Sequence, residues 1–293
     1  MHPRFAAFPR ALAAQARTAR LGPSRIPALL VHPDWQTPAP TLIWLHGRTV
    51  SKELDPGRYL RLLRAGIASV AIDLPGHGER EGPSLHAPKH TIEVVTQAVG
   101  EIDQVVAALT APTAPTDPTD PTDPARAEPT DAFEPGVFDT TRLALGGMSA
   151  GGMVTLRRLC DPHPFSAALV EGTSGRLADL YFPPEGTART PWPIDHPRAA
   201  VDAIDPSQHL ETWRPIPLLA ISATTDRVVA FETQQRFLDD LRAHYAGQGA
   251  DPGLVELQTY ADTGAPEEHA GFGKFGNNAK NTATGFLVRC LNP

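Results

Sequence analysis

Residues 147–151 read Gly147-Met148-Ser149-Ala150-Gly151, directly after the apolar run Leu143-Ala144-Leu145. A serine hydroxyl is a weak nucleophile until a base can reach it, and a sharp strand-to-helix turn holds it out for that base. Gly147 and Gly151 permit such a turn, because a Cβ at either position would press on the neighbouring strand or helix. Ser149 is therefore the candidate nucleophile. The same serine would also serve as a plain N-cap for the helix that follows.

Acyl transfer by serine needs a base, an acid to orient it, and donors for the oxyanion. His269 sits in the turn-rich stretch Asp262–Gly271, after the last apolar strand pattern and before the last helical one, and is the candidate base. Asp226 follows Ile221-Ser222-Ala223-Thr224-Thr225, where a buried strand breaks into a polar turn, and is the candidate acid. Turn formation alone also accounts for an aspartate there. Glu171, which closes the strand after the nucleophile helix, is the alternative acid. The oxyanion donors are expected to be the backbone amides of Ala150, at a helix start, and of Arg48, in His46-Gly47-Arg48 at the end of an apolar strand. His46 is expected to bond and shape that loop. It joins Tyr181, Phe182 and Trp192 as candidate pocket residues.

These residues need elements to hold them. Apolar strand-like runs at 26–32, 41–46, 67–74, 142–148, 167–172, 218–224 and 254–260 alternate with helical patterns, which predicts a parallel sheet with crossover helices. Several of these runs do not alternate, as expected for strands buried on both faces. Ile92, Val95, Val99, Ile102, Val106 and Leu109 step by three and four along one helix face. Further helices are expected at 153–160, 231–245 and 278–291.

Composition narrows the function classes. A formal net charge of −7 carries no footprint for nucleic acid or for an anionic membrane surface. Apolar runs fall short of the roughly 20 residues that span a bilayer. Residues 1–24 carry arginines and no apolar h-region, so they are read as a short arm laid on the domain rather than a secretory signal. Two cysteines, Cys160 and Cys290, give no disulfide framework and fit a reduced, cytoplasmic setting. Residues 25–293 are expected to form a single domain with two excursions. Residues 110–136 contain three Thr-Asp-Pro units, which remove backbone donors and offer almost nothing to bury; they are read as a disordered or polyproline-like insertion. Residues 173–217 hold aromatics among prolines and are read as a small cap or a self-packed excursion.

His77, His86 and His90 lack the His-x-x-x-His spacing of a zinc helix, and no phosphate-cradling glycine loop follows a strand. Neither a metal nor a nucleotide cofactor is expected.

The chain order Ser149, Asp226, His269, together with His46-Gly47 and Asp73-Leu74-Pro75-Gly76-His77-Gly78-Glu79-Arg80, resembles the α/β-hydrolase family over about residues 25–291. Within it, the chain is similar to bacterial serine esterases related to dienelactone hydrolases and to prolyl-oligopeptidase catalytic domains. Dienelactone hydrolases proper use cysteine where this chain has Ser149. The resemblance implies a mostly parallel sheet of about eight strands flanked by helices. It further implies a serine carboxylesterase that acts on a small-molecule ester through an acyl-enzyme, without cofactor. Two alternatives stay open: a serine peptidase of prolyl-oligopeptidase type, and a hydrolase-fold protein that binds without turnover. Acyl and alcohol specificity and oligomeric state are not legible.

Overall fold

The computed structural model describes residues 7–80, 82–110, 133–185, 192 and 194–292. Eight strands form one sheet: β1 (Ala16–Leu21), β2 (Ile26–Val31), β3 (Ala39–Leu45), β4 (Ala68–Ile72), β5 (Phe138–Met148), β6 (Ala167–Glu171), β7 (Leu218–Ala223) and β8 (Val255–Tyr260). Their spatial order is β1-β2-β4-β3-β5-β6-β7-β8. β1 and β4 both pair antiparallel to β2, and every other neighbouring pair is parallel. Each residue of β3, β6 and β7 is buried, which is why these segments read as apolar without alternation.

The helices are α1 (Arg10–Ala13), α2 (Pro56–Arg64), α3 (Thr91–Thr110), α4 (Ala150–Arg158), α5 (Ala178–Tyr181), α6 (Arg198–Asp202), α7 (Phe231–Gly247) and α8 (Gly276–Leu291). On one face of the sheet Val95 and Ile102 of α3, Val154 of α4 and Phe237 of α7 share a core with Ile43, Leu145 and Val170. On the other, Leu12 of α1, Tyr59 of α2 and Phe286 of α8 pack with Leu42, Leu169 and Ile221. Alternate residues of one strand feed opposite layers, as the pleat requires. The architecture is the α/β-hydrolase fold.

Two elements were not legible. β1 lies inside the segment read as an arm; the structure corrects that reading, since Ala16–Leu21 pairs along its whole length with β2. It is an edge strand with a mixed burial pattern, and Arg17 and Arg20 disguise the alternation. Arg17 stacks its guanidinium 3.9 Å over the Trp35 ring, and Arg20 pairs with Glu79 at 2.7 Å. α2 starts where Asp55 caps Arg58 N–H and Pro56 occupies the first turn, a start signal hidden by the three arginines that follow.

Of the Thr-Asp-Pro insertion, residues 111–132 lie outside the described residues. The chain re-enters at Phe133, which is buried edge-on against Phe138 with ring centroids 5.0 Å apart. The described part of 173–217 is a packed connection: Leu177, Leu180, Val201, Ile204, Trp213 and Ile216 all join the sheet core.

Among the ties between that connection and α7, one hydroxyl engages three polar groups at once. Tyr245 Oη donates to the Ile216 carbonyl at 2.7 Å and accepts from Ile216 N–H at 3.0 Å and from Trp213 Nε1–H at 3.1 Å. All three partners precede β7, the strand that leads to Asp226. Tyr245→Phe strands two buried donors and one acceptor, so the unfolding free energy in urea is expected to fall by about 2 kcal/mol. A loss within error of zero would show that these groups find other partners.

Candidate functional site

β5 ends at Met148, and α4 begins at Ala150, so the whole reversal falls on Ser149. Its backbone sits at φ 52°, ψ −117°, a conformation that costs a side-chain-bearing residue about 1–3 kcal/mol. Three bonds hold it there. Ser149 N–H donates to the Glu171 carbonyl at 2.9 Å; the Ser149 carbonyl accepts from Met153 N–H at 3.0 Å and from Thr173 Oγ1 at 2.9 Å. The flanking glycines do what the sequence asked of them. A Cβ on Gly147 would run into the Gly151 backbone, and one on Gly151 into the Leu45 carbonyl.

The structure brings the three candidate catalytic residues together across 120 residues of chain. His269 Nε2 lies 2.9 Å from Ser149 Oγ, and His269 Nδ1 lies 2.8 Å from Asp226 Oδ2. Against a carboxylate, Nδ1 carries the proton, which leaves Nε2 free to accept from the serine hydroxyl. Asp226 is aimed by its other oxygen, Oδ1, which accepts from the amides of Val228 and Val229 at 2.8 Å each. Gly172, at φ 50°, brings its backbone up to the His269 ring, where a Cβ would stand 3.6 Å away. Glu171, the alternative acid, is engaged elsewhere: both its oxygens accept from Arg58 Nη2, at 2.7 and 2.8 Å.

Two amides adjoin this pair. Ala150 occupies the first position of α4, where an N–H has no intrahelical carbonyl to reach. Gly47 stands beside Ser149, and Arg48 lines the same cavity as Ser149. The Arg48 side chain turns away and donates to the His86 carbonyl at 3.2 Å.

The loop that carries Arg48 is held by buried charge, which the sequence did not disclose. Lys52 is 1% exposed; its Nζ contacts Asp73 Oδ2 at 2.8 Å and Glu79 Oε1 at 2.5 Å. Burial alone would lower the Lys52 pKa, but Asp73, Glu79 and Glu53, the last at 3.0 Å, outweigh it and hold it above its ordinary value. Asp73 Oδ1 accepts the Lys52 amide at 2.9 Å, and Tyr59 Oη donates to the Lys52 carbonyl at 2.7 Å. Only the Asp73 turn gave a hint; the lysine that answers it lies 21 residues earlier. His46 does shape the loop. Its Nε2 accepts from Leu74 N–H at 3.1 Å, so Nδ1 carries the proton and donates to the Gly47 carbonyl at 2.6 Å.

A cavity of about 480 Å³ opens beside Ser149 and His269. It runs toward α2 and α8, between Trp44, Tyr59, Leu54 and Phe272, and it reaches Arg58 and Lys280. Of the four candidate pocket residues only His46 lines it. Tyr181 is instead buried in the core, with Trp192 edge-on at 5.2 Å and Phe182 at 6.4 Å. Trp192 Nε1 donates to the carbonyl of Val228, which does line the cavity, so this aromatic cluster buttresses the wall without facing the space. Aromatic content marked the wrong segment because stacking on one another and facing a ligand leave the same composition.

Among the described residues no three His, Cys, Asp or Glu side chains converge as a metal cage. His86 stacks on His77 at 4.4 Å, and each ring bonds a turn carbonyl, those of Gly76 and Pro75. Burial pushes the Cys160 thiol up to about 12 and the Cys290 thiol up to about 11, so neither is a thiolate at neutral pH.

Buried histidines set the acid limit of this architecture. Burial lowers the pKa of His46 to about 4 and that of His163 to about 4, and it lowers His32 and His77 as well. These rings therefore bind fewer protons in the folded state than in the unfolded chain between pH 6.5 and 4, and their contribution to stability falls as pH falls through that window. Urea midpoints are expected to drop steadily from pH 6.5 downward. Midpoints that stay flat to pH 5 would mean these rings ionise freely in the folded protein.

The fold has counterparts among known proteins. Esterase YjfP of Escherichia coli K12 is 27% identical over 220 residues, covering 72% of this chain and 79% of that protein. The crystal structure of TT1662 from Thermus thermophilus superposes with a TM-score of 0.64 at 23% identity, covering 95% of this chain and 99% of that one. Thermogutta terrifontis esterase 2, phosphoramylated by tabun, gives 0.59 at 16% identity, covering 95% and 97%. A puromycin-hydrolyzing peptidase of Mycobacterium tuberculosis gives 0.66 at 17% identity, covering 98% of this chain but 42% of that one. None of the helices among the described residues is long and apolar enough to cross a membrane. The sequence profile of the prolyl oligopeptidase family matches residues 130–293, more than half of the chain and the part that contains Ser149, Asp226 and His269. The chain belongs to the prolyl oligopeptidase family, a hydrolase of the α/β-hydrolase fold.

Proposed function

We propose that the protein is a serine carboxylesterase acting on small or medium esters. The observation that carries this reading is the continuous path from Asp226 Oδ2 through His269 to Ser149 Oγ, with contacts of 2.8 and 2.9 Å, opening on a cavity with mostly apolar walls. Ser149 attacks the ester carbonyl while His269 Nε2 takes its proton, and Asp226 stabilises the imidazolium that forms. The amides of Ala150 and Arg48 hold the tetrahedral oxyanion, a contribution of about 3 kcal/mol per donor. His269 then protonates the leaving alcohol, and water repeats the sequence on the acyl-enzyme. Glycines at 147 and 151 form the nucleophile elbow. The esterases among the similar proteins support the ester over the amide.

Peptidase activity is the second reading, supported by the family itself. The adjacent carboxylates that would suit a free peptide amine are spent locally: Glu268 accepts from Thr263 and Gly264 amides at 2.6 and 2.8 Å, and Glu267 faces Arg227 at the surface.

A p-nitrophenyl ester series from acetate upward is expected to show a maximum at one chain length, and Ser149→Ala to lower kcat at least about a thousandfold. A fluorophosphonate should label wild type stoichiometrically and the variant not at all. Aminoacyl-naphthylamide cleavage at rates matching the best ester would reverse the order of the two readings. Wild type that neither turns over esters nor accepts the label would leave a binding protein.

A further inference from the structure

The cavity that Ser149 opens on also carries charge, from Asp55, Arg58, Glu171 and Lys280, and these charges do not cancel bond for bond. Arg58, 4% exposed, lies with its guanidinium 3.9 Å over the Trp44 ring. Its Nη2 donates to Glu171, and its Nε donates to Asp55 Oδ2 at 3.0 Å. Its Nη1 has no hydrogen-bond partner among the described residues. Across the cavity mouth of α8, Lys280 Nζ stands 3.5 Å from Asp55 Oδ1 and makes no other ion pair among the described residues. Both Glu171 oxygens and Asp55 Oδ2 are thus engaged by the Arg58 guanidinium, and Asp55 Oδ1 is shared by the Arg58 amide and Lys280, while Nη1 and the ammonium of Lys280 retain unspent N–H donors. A buried donor without an acceptor costs about 1–3 kcal/mol, and an acceptor brought into the cavity would remove that cost.

The position favours substrate as the supplier of that acceptor. Glu171 stands opposite Met148 in the β5–β6 register, one residue before Ser149, so the Arg58–Glu171 pair belongs to the cavity that Ser149 opens on. We infer that this charged wall of the cavity is a subsite for an oxygen acceptor, a carbonyl or carboxylate, that the substrate carries in addition to its scissile ester and that Arg58 and Lys280 read. The inference rests on the esterase reading above. It specifies a substrate with a polar terminus rather than a plain alkyl chain.

Two matched ester series test it, one varied on the acyl chain and one on the alcohol, each ending in a methyl group, a methyl ketone or a carboxylate. On one arm, kcat/KM for the ketone or the carboxylate is expected to exceed that of the methyl-ended ester about tenfold, the value of one hydrogen bond to a charged donor. The ketone alone gaining would make the natural group neutral; a larger gain for the carboxylate would make it anionic. That ratio should collapse toward one in Lys280→Met, whose lysine is partly exposed, and in Arg58→Gln. It should persist in Arg289→Gln, at the opposite end of α8, where the arginine pairs with Glu256 on the surface. Equal rates across both series, or a preference that survives Lys280→Met, would overturn the subsite while leaving the esterase intact. No hydrolysis of any member would sink the esterase reading and the subsite with it.

Discussion

Everything at the site depends on one forced contact: the first turn of α4 is pressed against the end of β3 with no side chain between them. Gly151 lies where a Cβ would strike the Leu45 carbonyl, and Gly147 where a Cβ would strike Gly151. That approach leaves Ser149 no room for an ordinary strand-to-helix transition and drives it to positive φ. The strain is local and is offset by ordinary means, the β5–β6 ladder on one side and the α4 turn on the other. What it accomplishes is direction. The hydroxyl projects from the top of the sheet into the path of His269 instead of folding back as a cap, and Ser149 indeed makes no side-chain cap bond.

The loops around this point solve a different problem. The 46–52 segment lies beside Ser149 but is itself part of neither strand nor helix. Its order comes from Lys52, buried against Asp73 and Glu79, and from the His46 bonds to Gly47 and Leu74. Buried ion pairs contribute little net stability, since desolvation consumes most of the attraction. They are demanding about geometry, however, because a misplaced loop leaves a charge unpaired. Gly78 fits the same logic: at φ 56° it closes on the Asp73 carboxylate, where any Cβ would collide.

How much of this could be read from residues alone follows from the range of the interactions. The elbow was legible because its cause is local, two glycines and a serine within five positions. The parallel sheet was legible because burial on both faces writes itself as uninterrupted Leu, Ile, Val and Ala. Asp226 and His269 could be named because strand ends and late loops are recognisable in one dimension. The Lys52–Asp73 and Arg58–Glu171 pairs could not, since nothing near either lysine or arginine distinguishes it from a solvated one. β1 failed for a related reason: an edge strand needs only one good face, and two arginines with partners in space look like surface in sequence. Tyr181 and Trp192 failed in the opposite sense, because aromatics that satisfy each other resemble aromatics awaiting a ligand.

The two faces of the sheet then divide the labour. On the α3–α4–α7 face the packing is closed around Met153, Val154 and Phe237, which locks the helix that aims Ser149. On the α1–α2–α8 face the layers part near the strand ends, and the space lies between Trp44, Tyr59 and Phe272. A residue exchanged on the first face disturbs the alignment of serine and histidine, whereas one exchanged on the second alters what fits beside them. Arg58 belongs to both arrangements, since it stacks on Trp44 in the wall and neutralises Glu171 beneath the elbow. The proposed chemistry and the proposed selectivity therefore meet at a single buried guanidinium, and a change there cannot alter one without reaching the other.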